Sequence, residues 1–389
     1  MQTGKKLLVI LCLGTMLIGA VTGCGKSGSN AKEIKIGGNL EMTGTGASYG
    51  KSSQNGIKLA IEKINGQGGV LGKKLVLAVA DNKSEAAEAT NAMQKLISQD
   101  KVVAVVGPSI SSCVIATTAV NAGAKVLDIS PLGTNPKVTV DQNGKTRAYN
   151  FRTCFIDPFQ GTVMAKFVKD SLKAKKVAVL VDNSSDYSKG LAQYFEETFT
   201  KEGGTIVAKE SFLQKDTDFK ATLTKIQAAH PDMIYVPAYY QEVGLIVKQA
   251  RELGITVPMA GGDGWDSAKM PEIAGAAALN KTYFSSLYSP EDNTAINKEF
   301  VAAYEKAYNE KPDVFAALSY DSTLLIAEAI KKTGSLDTGK IAASMAEIKG
   351  LEGVSGKVTF DAQHNPVKSA FIIEYKEGKQ SFKTKIEPK

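Results

Sequence analysis

The stretch VVAVVGPSISS, residues 102–112, is the part of the sequence that decides the fold class. Its first five residues are apolar and lead into a Gly-Pro pair, which is typical of a strand buried on both faces of a parallel sheet. Serines follow at once, and a helix is predicted from Ser112 to Ala122. A buried strand that leads directly into a helix is half of a β-α-β unit, so this stretch predicts an α/β fold.

The alternation of strand and helix continues in both directions. Before this stretch, strands are predicted at 34–40 and 75–80, each followed by apolar residues at helical spacing. After it come a strand at 125–130 and the irregular stretch 131–160. A second run then has strands predicted at 176–181, 205–210, 233–236 and 257–261, with helices at 188–201, 219–229 and 242–253 between them. Two such runs predict two Rossmann-like lobes, each built on a parallel sheet.

The composition is that of an ordinary globular protein. The 389 residues are 43% hydrophobic and 22% charged, which is enough for two or three domains with their own cores. Four cysteines are too few for a disulfide scaffold. The formal net charge of +7 is small for this length, and no basic run contains interleaved aromatic residues. We therefore expect no binding to nucleic acid.

The N-terminal segment has the order of parts of a secretory signal. Lys5 and Lys6 precede an apolar run at 7–18, and no charged residue follows until Lys26. This run is too short for a comfortable membrane span, so it predicts export rather than a transmembrane helix.

The end of that segment, Val-Thr-Gly-Cys at 21–24, resembles the lipobox of bacterial lipoproteins. The resemblance implies a signal peptide at 1–23 and a diacylglycerol chain on the thiol of Cys24. The small and polar residues that follow predict a tether at 24–33. An uncleaved anchor with an incidental cysteine is the alternative.

The cysteines and histidines show no spacing that is typical of a metal site, so we predict no metal. Cys113 and Cys154 either form one disulfide outside the cytoplasm or pack as two buried thiols, and the sequence leaves both open. His230 and His364 both lie close to a proline and are interpreted as structural.

The spacing of the glycines after the first predicted strand differs from that of nucleotide-binding proteins. Gly44, Gly46 and Gly50 have the spacing GxGxxxG, whereas dinucleotide-binding folds use GxGxxG, and Asp81 comes too far downstream to bind a ribose. No nucleophile elbow, zinc-protease motif or P-loop is present. We therefore predict no cofactor and no enzyme.

Polar side chains follow several predicted strands, at the edge where open α/β sheets bind ligands. Ser111 and Ser112 begin a helix, and Thr134 follows the next strand. Hydroxyls and free backbone N–H groups in such places suit a carboxylate, although helix capping explains a single serine equally well. Glu242 follows strand 233–236 and could accept an ammonium group, or it could only favour the start of a helix.

Six blocks of sequence carry a resemblance to a known family. They are IKIGGNLEMTGTGASYGKSSQNGIKLAIEKINGQGGVLGKKL (34–75), VVGPSISS (105–112), ISPLGTNP (129–136), NFRTCFIDPFQG (150–161), DYSKGLAQYF (186–195) and AYYQEVGLIVKQAREL (238–253). In these blocks the chain resembles the branched-chain amino-acid binding proteins of ABC transporters, the Leu/Ile/Val-binding family with the type I fold of periplasmic binding proteins. One departure is Ile110, which stands where some relatives have a disulfide cysteine.

The resemblance implies which residues bind the ligand. In the first lobe, Ser111 and Thr134 would hold the α-carboxylate, and the backbone around Leu132 and Gly133 would add further contacts. In the second lobe, Tyr187 would close over the ligand and Glu242 would accept its α-ammonium group. The remaining candidates are Tyr49 beside the ligand side chain, Asp157 at the first crossover, and Trp265 and Tyr288 as pocket walls.

The resemblance also implies that the chain crosses between the lobes three times, through a three-stranded hinge near residues 157, 264 and 362. The first lobe would contain 34–157 and 265–362. The second lobe would contain 158–264 and 363–389.

The function implied is that of an extracytoplasmic lipoprotein, at the cell surface or in the periplasm, that delivers a small solute to an ABC transporter. It would capture an amino acid, branched-chain by resemblance, between its lobes and pass it to the permease and ATPase subunits. We expect a monomer held at the membrane by its lipid. The alternatives are a sensor of the same fold, a binder of another small amino acid or amide, and a secreted enzyme on an α/β scaffold.

Overall fold

A computed structural model describes residues 32–387 of the chain, so the predicted signal peptide and Cys24 lie outside the described residues. The first part alternates strand and helix as predicted. Its elements are β1 (Glu33–Leu40), α1 (Ala47–Gly66), β2 (Lys74–Asp81), α2 (Ala86–Ser98), β3 (Ala104–Val106), α3 (Ser111–Ala124), β4 (Leu127–Ser130) and β5 (Asn150–Arg152). These strands form a parallel sheet in the order β2-β1-β3-β4-β5.

The second part of the chain repeats the pattern. It contains α4 (Asp157–Asp170), β6 (Lys176–Asp182), α5 (Asp186–Lys201), β7 (Thr205–Phe212), α6 (Lys220–Ala228), β8 (Met233–Tyr235), α7 (Tyr240–Glu252), β9 (Met259–Gly261), α8 (Met270–Ala274) and β10 (Thr282–Ser286). The last part contains α9 (Ala295–Tyr308), α10 (Val314–Thr333), α11 (Thr338–Ala346), the hairpin β11 (Leu351–Gly353) and β12 (Gly356–Val358), and then β13 (Ala370–Lys376) and β14 (Lys379–Ile386).

The second sheet has the order β14-β13-β10-β9-β8-β6-β7. Its strands are parallel from β7 to β10, whereas β13 and β14 add an antiparallel edge. The α/β class with two parallel-strand sheets is therefore confirmed. The edge strand β14 and the short strands β5 and β10 were not predicted, because two or three apolar residues give no clear period.

We use the name first lobe for the first sheet with helices α1–α3 and α9–α11, and the name second lobe for the second sheet with helices α4–α8. Helix α10 packs along α1 and against β3 and β4, so the late helices complete the first lobe. The closest approach is at Gly56, where an added Cβ would lie 2.1 Å from the carbonyl oxygen of Ala316. Only glycine fits there.

One predicted lobe boundary lies too early in the chain. Residues 265–362 were assigned to the first lobe, but β10 pairs with β9 and β13 in the second sheet. The chain therefore returns to the first lobe after β10 and before α9. The sequence TYFSS has only two apolar residues, followed by two serines, so its composition did not mark it as a buried strand. Residue 157 lies between β5 of the first sheet and β6 of the second, and residue 362 lies between the hairpin strand β12 and β13 of the second sheet.

Candidate ligand-binding site

The loops at the carboxyl ends of the parallel strands of both lobes meet around a small pocket. Its lining comes from the first lobe through Tyr49, Ser109, Ile110, Leu132 and Phe315, and from the second lobe through Tyr187, Tyr239, Asp263 and Gly264. The pocket has a volume of about 10 Å³, which is room for about one water molecule. An amino acid needs more space than that, so the lobes must separate for one to enter.

Asp263 is the acidic side chain in the lining of this pocket. It lies in a single turn directly after β9 and is buried. Its Oδ1 accepts hydrogen bonds from Gln160 Nε2 at 2.8 Å and from the Tyr187 hydroxyl at 2.9 Å. Burial raises the pKa of this carboxyl to about 6, since removal of water disfavours the charged form. At neutral pH the pocket therefore contains a carboxylate.

The turn after β3 forms part of the first-lobe wall, and it is held by Glu41. The Oε1 of this buried side chain accepts hydrogen bonds from the backbone N–H groups of Ser109 and Ile110, at 3.0 and 3.1 Å. Both N–H groups are thus satisfied within the lobe. The hydroxyl of Ser109, by contrast, is buried and has no hydrogen-bond partner among the described residues. It remains a donor for a ligand in the pocket.

Arg152 shapes the loop after β4. It extends from β5, and its guanidinium donates to the carbonyl oxygens of Gly133 at 2.6 Å and Asn135 at 2.9 Å, and to Thr139 Oγ1 at 3.0 Å. The N–H of Gly133 in turn donates to Ser130 Oγ at 2.8 Å. Both backbone groups of Gly133 are therefore engaged inside the first lobe.

Aromatic rings close the pocket and join the lobes. The Tyr49 ring stacks on Phe315 at a centroid distance of 4.0 Å, and Tyr187 stacks on Tyr239 at 5.1 Å. The Tyr49 hydroxyl donates to the carbonyl oxygen of Gly264 and accepts from the N–H of Tyr240 at 3.1 Å. A first-lobe side chain is thus bonded to two backbone groups of the second lobe.

Three predicted residues, Tyr49, Leu132 and Tyr187, line the pocket. Ser111 is buried at the start of α3, where its Oγ accepts from the N–H of Asn135 at 3.3 Å. Thr134 follows in the same loop, and its buried hydroxyl has no hydrogen-bond partner in the described part of the chain. Neither Ser111 nor Thr134 is part of the lining itself.

Asp157 is buried at the first residue of α4, next to Thr134, whose carbonyl oxygen accepts the Asp157 N–H at 3.0 Å. Neither of its carboxyl oxygens has a hydrogen-bond partner within residues 32–387. Burial raises the pKa of Asp157 to about 8, and the nearby Asp263 adds to the shift. Asp157 is therefore a mostly neutral acid behind the pocket.

The other predicted residues lie outside the lining. Glu242 is buried on the first turn of α7, where its Oε1 accepts the N–H of Lys215 at 2.9 Å. Trp265 is buried and donates from Nε1 to the carbonyl oxygen of Val236 at 2.9 Å. Tyr288 is buried and packs edge-on against Phe300.

The acid that lines the pocket, Asp263, was missed. The signal was available, since Asp263 follows a parallel strand in the same way as Glu242 does. Phe315 was also missed, because a helix residue far along the chain reaches the pocket only through packing. Cys113 and Cys154 are both free and buried, so of the two predicted alternatives the structure has two buried thiols and not a disulfide. Burial raises the pKa of Cys154 to about 12.

Two lobes of similar build with a polar and aromatic pocket at their junction define a two-lobed solute-binding protein. The chain belongs to the periplasmic binding protein family, whose model matches residues 33–380.

Solved structures and relatives agree with this assignment. The branched-chain amino acid transporter substrate binding protein LivJ from Streptococcus pneumoniae, in complex with isoleucine, is 42% identical, with a TM-score of 0.86 over 92% of this chain and 100% of that one. The leucine binding protein LivK from Thermotoga maritima is 36% identical, with a TM-score of 0.86 over 91% and 99%. The Leu/Ile/Val-binding protein BraC3 from Rhizobium johnstonii is 31% identical over 88% of this chain and 91% of its own length.

Family membership confirms two predictions. The family consists of solute-binding proteins, so the chain is a binding protein rather than an enzyme. The family is extracytoplasmic, as the N-terminal segment predicted. Within the described residues, no helix has the length and apolar character that crossing a membrane requires.

Proposed function

We propose that this protein captures an α-amino acid with a branched apolar side chain between its lobes and delivers it to an ABC permease. The observation that carries the proposal is a carboxylate, Asp263, at the junction of the lobes among aromatic walls. A zwitterion with an apolar side chain needs an acid for its ammonium group, hydroxyl donors for its carboxylate and an apolar wall. Relatives named for leucine, isoleucine and valine support the same ligand class.

Each pole of the ligand has a partner in a different lobe. Asp263 accepts the ammonium group from the second lobe, where Gln160 and Tyr187 hold its carboxylate in place. The hydroxyls of Ser109, Ser111 and Thr134 donate to the ligand carboxylate from the first lobe. Ser109 is buried without a partner in the described structure, and an unused buried donor favours a ligand that accepts from it. The Thr134 hydroxyl lies beside the Asp157 carboxyl.

Binding is coupled to closure of the lobes. The amino acid enters an open form, and the lobes then close on it as far as its volume allows, which brings both sets of partners to it. Hydrogen bonds that join the lobes stabilise the closed form. Besides the Tyr49 bonds, the side-chain amide of Asn135 donates to the Asp186 carbonyl at 2.8 Å, and Gln214 Nε2 donates to Thr45 Oγ1 at 2.7 Å.

Glu242 takes a different role in this proposal from the one the resemblance implied. Its bond to the Lys215 N–H holds the loop after β7 at the rim of the cleft. The side chain of Lys215 reaches across to Glu85 of the first lobe. Glu242 therefore supports the closed form and does not bind the ammonium group.

A lipid on Cys24 holds the protein at the membrane in this proposal, and the motif at 21–24 supports it. In cells, Cys24→Ala is expected to move the protein from the membrane fraction to the soluble extracytoplasmic fraction. Radiolabelled palmitate should label the unaltered chain and not the variant. Labelling of both chains, or of neither, would remove the anchor from the proposal.

The ligand class is tested by calorimetry with the mature protein in detergent. The titrants are leucine, isoleucine and valine, with glycine, glutamate, lysine and benzoate as comparisons. The three branched-chain amino acids are expected to bind most tightly and to raise the melting temperature by mass action. Tight binding of benzoate with no binding of any amino acid would contradict the proposal.

A further inference from the structure

A second cavity of about 1010 Å³ lies beside the pocket, open to solvent between the lobes. We call it the outer chamber. Four chain segments contribute residues to both spaces, and in each a chamber residue lies within two positions of a pocket residue. The pairs, chamber residue first, are Ser48 with Tyr49, Tyr240 with Tyr239, Asp266 with Gly264, and Asp313 with Phe315. Because the segments are shared, the two spaces lie side by side, and side chains of these segments form the layer between them.

Tyr240 is the large side chain of that layer on the chamber side. Its ring meets the Tyr49 ring edge-on at a centroid distance of 5.1 Å, and Tyr49 forms the pocket wall. Part of the chamber lining near it is apolar, including Met42, Ala47 and Pro271. A Tyr49 ring that moved toward the chamber would therefore find both room and suitable surroundings.

Tyr240 is held in place by both lobes. Its backbone N–H donates to the Tyr49 hydroxyl at 3.1 Å, and its own hydroxyl accepts from the N–H of Ser48 at 3.4 Å. Since Tyr240 begins α7 of the second lobe while Ser48 and Tyr49 lie on α1 of the first, these bonds exist only when the lobes are closed. The separating layer is thus completed by closure.

We infer that Tyr240 sets the upper limit on the size of the ligand side chain by holding Tyr49, the wall of the pocket, in place from the side of the outer chamber. This inference rests on the proposed function. A side chain as large as that of phenylalanine would press Tyr49 against Tyr240 before the lobes close, and its ligand would lose the contacts that closure provides. Removal of the Tyr240 ring would let Tyr49 move toward the outer chamber and admit the larger ligand.

The test is the ratio of the affinities for phenylalanine and leucine, measured by calorimetry on the mature protein. Tyr240→Ala is expected to shift this ratio about tenfold or more toward phenylalanine relative to the unaltered protein. If the variant closes less firmly, both ligands lose affinity equally, and this loss cancels in the ratio. The matched control Tyr240→Phe keeps the ring and loses only the hydroxyl, so its ratio should stay within about twofold of the unaltered value.

The outcomes separate this inference from the proposed function. An unchanged ratio in Tyr240→Ala, with leucine still bound, contradicts the role of Tyr240 alone. An unaltered protein that binds neither amino acid contradicts the proposed function and this inference with it. Should Tyr240→Ala fail to fold, as judged by circular dichroism, the smaller change Tyr240→Leu decides by the same ratio.

Discussion

Glu242 and Asp263 follow the neighbouring strands β8 and β9 at the same edge of the second sheet, and both are buried. Glu242 lies within the first turn of α7 and accepts the backbone N–H of Lys215. Asp263 lies in the turn directly after its strand and lines the pocket between the lobes. A place at the carboxyl end of a strand is therefore not sufficient for a ligand contact. The turn that follows the strand decides which way the side chain faces.

The two acids also differ in the kind of hydrogen-bond donor that holds them. Asp263 accepts from two side chains, Gln160 and Tyr187, which fix a charged group within the pocket. Glu242 accepts from a backbone N–H, which fixes a loop. Burial raises the pKa of both carboxyls, but only the Asp263 carboxylate can be compensated by a ligand in the pocket.

Replacement of Asp263 is expected to have the largest effect. Asp263→Asn keeps the shape of the side chain and removes its charge, so leucine affinity should fall about a hundredfold or more in calorimetry. The control is stability. The pKa of Asp263 is about 6 in the folded protein, above the ordinary value of 3.8. The free energy of unfolding therefore falls as pH rises through that range and the carboxyl ionises. Because the asparagine amide does not ionise, the variant lacks this destabilisation and should melt no lower than the unaltered protein at pH 7.

Near-normal leucine affinity in a folded Asp263→Asn variant would contradict the assignment. The ammonium group would then have to bind elsewhere, and Glu242 would be the next acid to replace.

The pH dependence of binding tests the same carboxylate without any substitution. The ligand ammonium needs an ionised Asp263, whose pKa is about 6 and whose acidic neighbours are Asp157 and Asp266. Leucine affinity should change little from pH 7 to pH 8 and fall about fivefold from pH 6 to pH 5. Calorimetry in buffers of matched ionic strength measures the profile. Asp263→Asn should lose this fall, whereas a flat profile in the unaltered protein would argue against Asp263.

Glu242→Gln should have a much smaller effect than Asp263→Asn, with a loss of leucine affinity of about threefold or less. The glutamine keeps an oxygen that can accept the Lys215 N–H, so the rim loop should stay in place. Calorimetry under the conditions used for Asp263→Asn gives the direct contrast. A hundredfold loss here would restore the role that the resemblance to the family implied for Glu242.

Much of the fold could be predicted because its signals are local. The apolar run at 102–106 and the helical stripes recur along the chain, and each marks one element without reference to the others. Short strands such as β10 lack that signal. Their place in the sheet depends on pairing with β9 and β13, which are distant in sequence from one another.

The same distinction explains the site. Tyr49, Leu132 and Tyr187 could be predicted because strand ends and family blocks mark their loops. Phe315 reaches the pocket only because α10 packs along α1, and no local pattern reports such a contact. Glu41 is a comparable case, since its carboxylate serves backbone groups 68 and 69 residues away.

The smallest effect is expected at the rim, for Lys215→Ala. The ammonium group of Lys215 pairs with Glu85 across the cleft at 2.5 Å, but the two side chains are 64% and 48% exposed, and exposed ion pairs contribute ~0–1 kcal/mol. Because the bond to Glu242 uses the backbone of residue 215, alanine keeps it. Leucine affinity should therefore change about twofold or less, and salt should erase the difference. A tenfold loss that persists in high salt would show that the rim contributes more to closure than its exposure allows, and would narrow the contrast between Glu242 and Asp263.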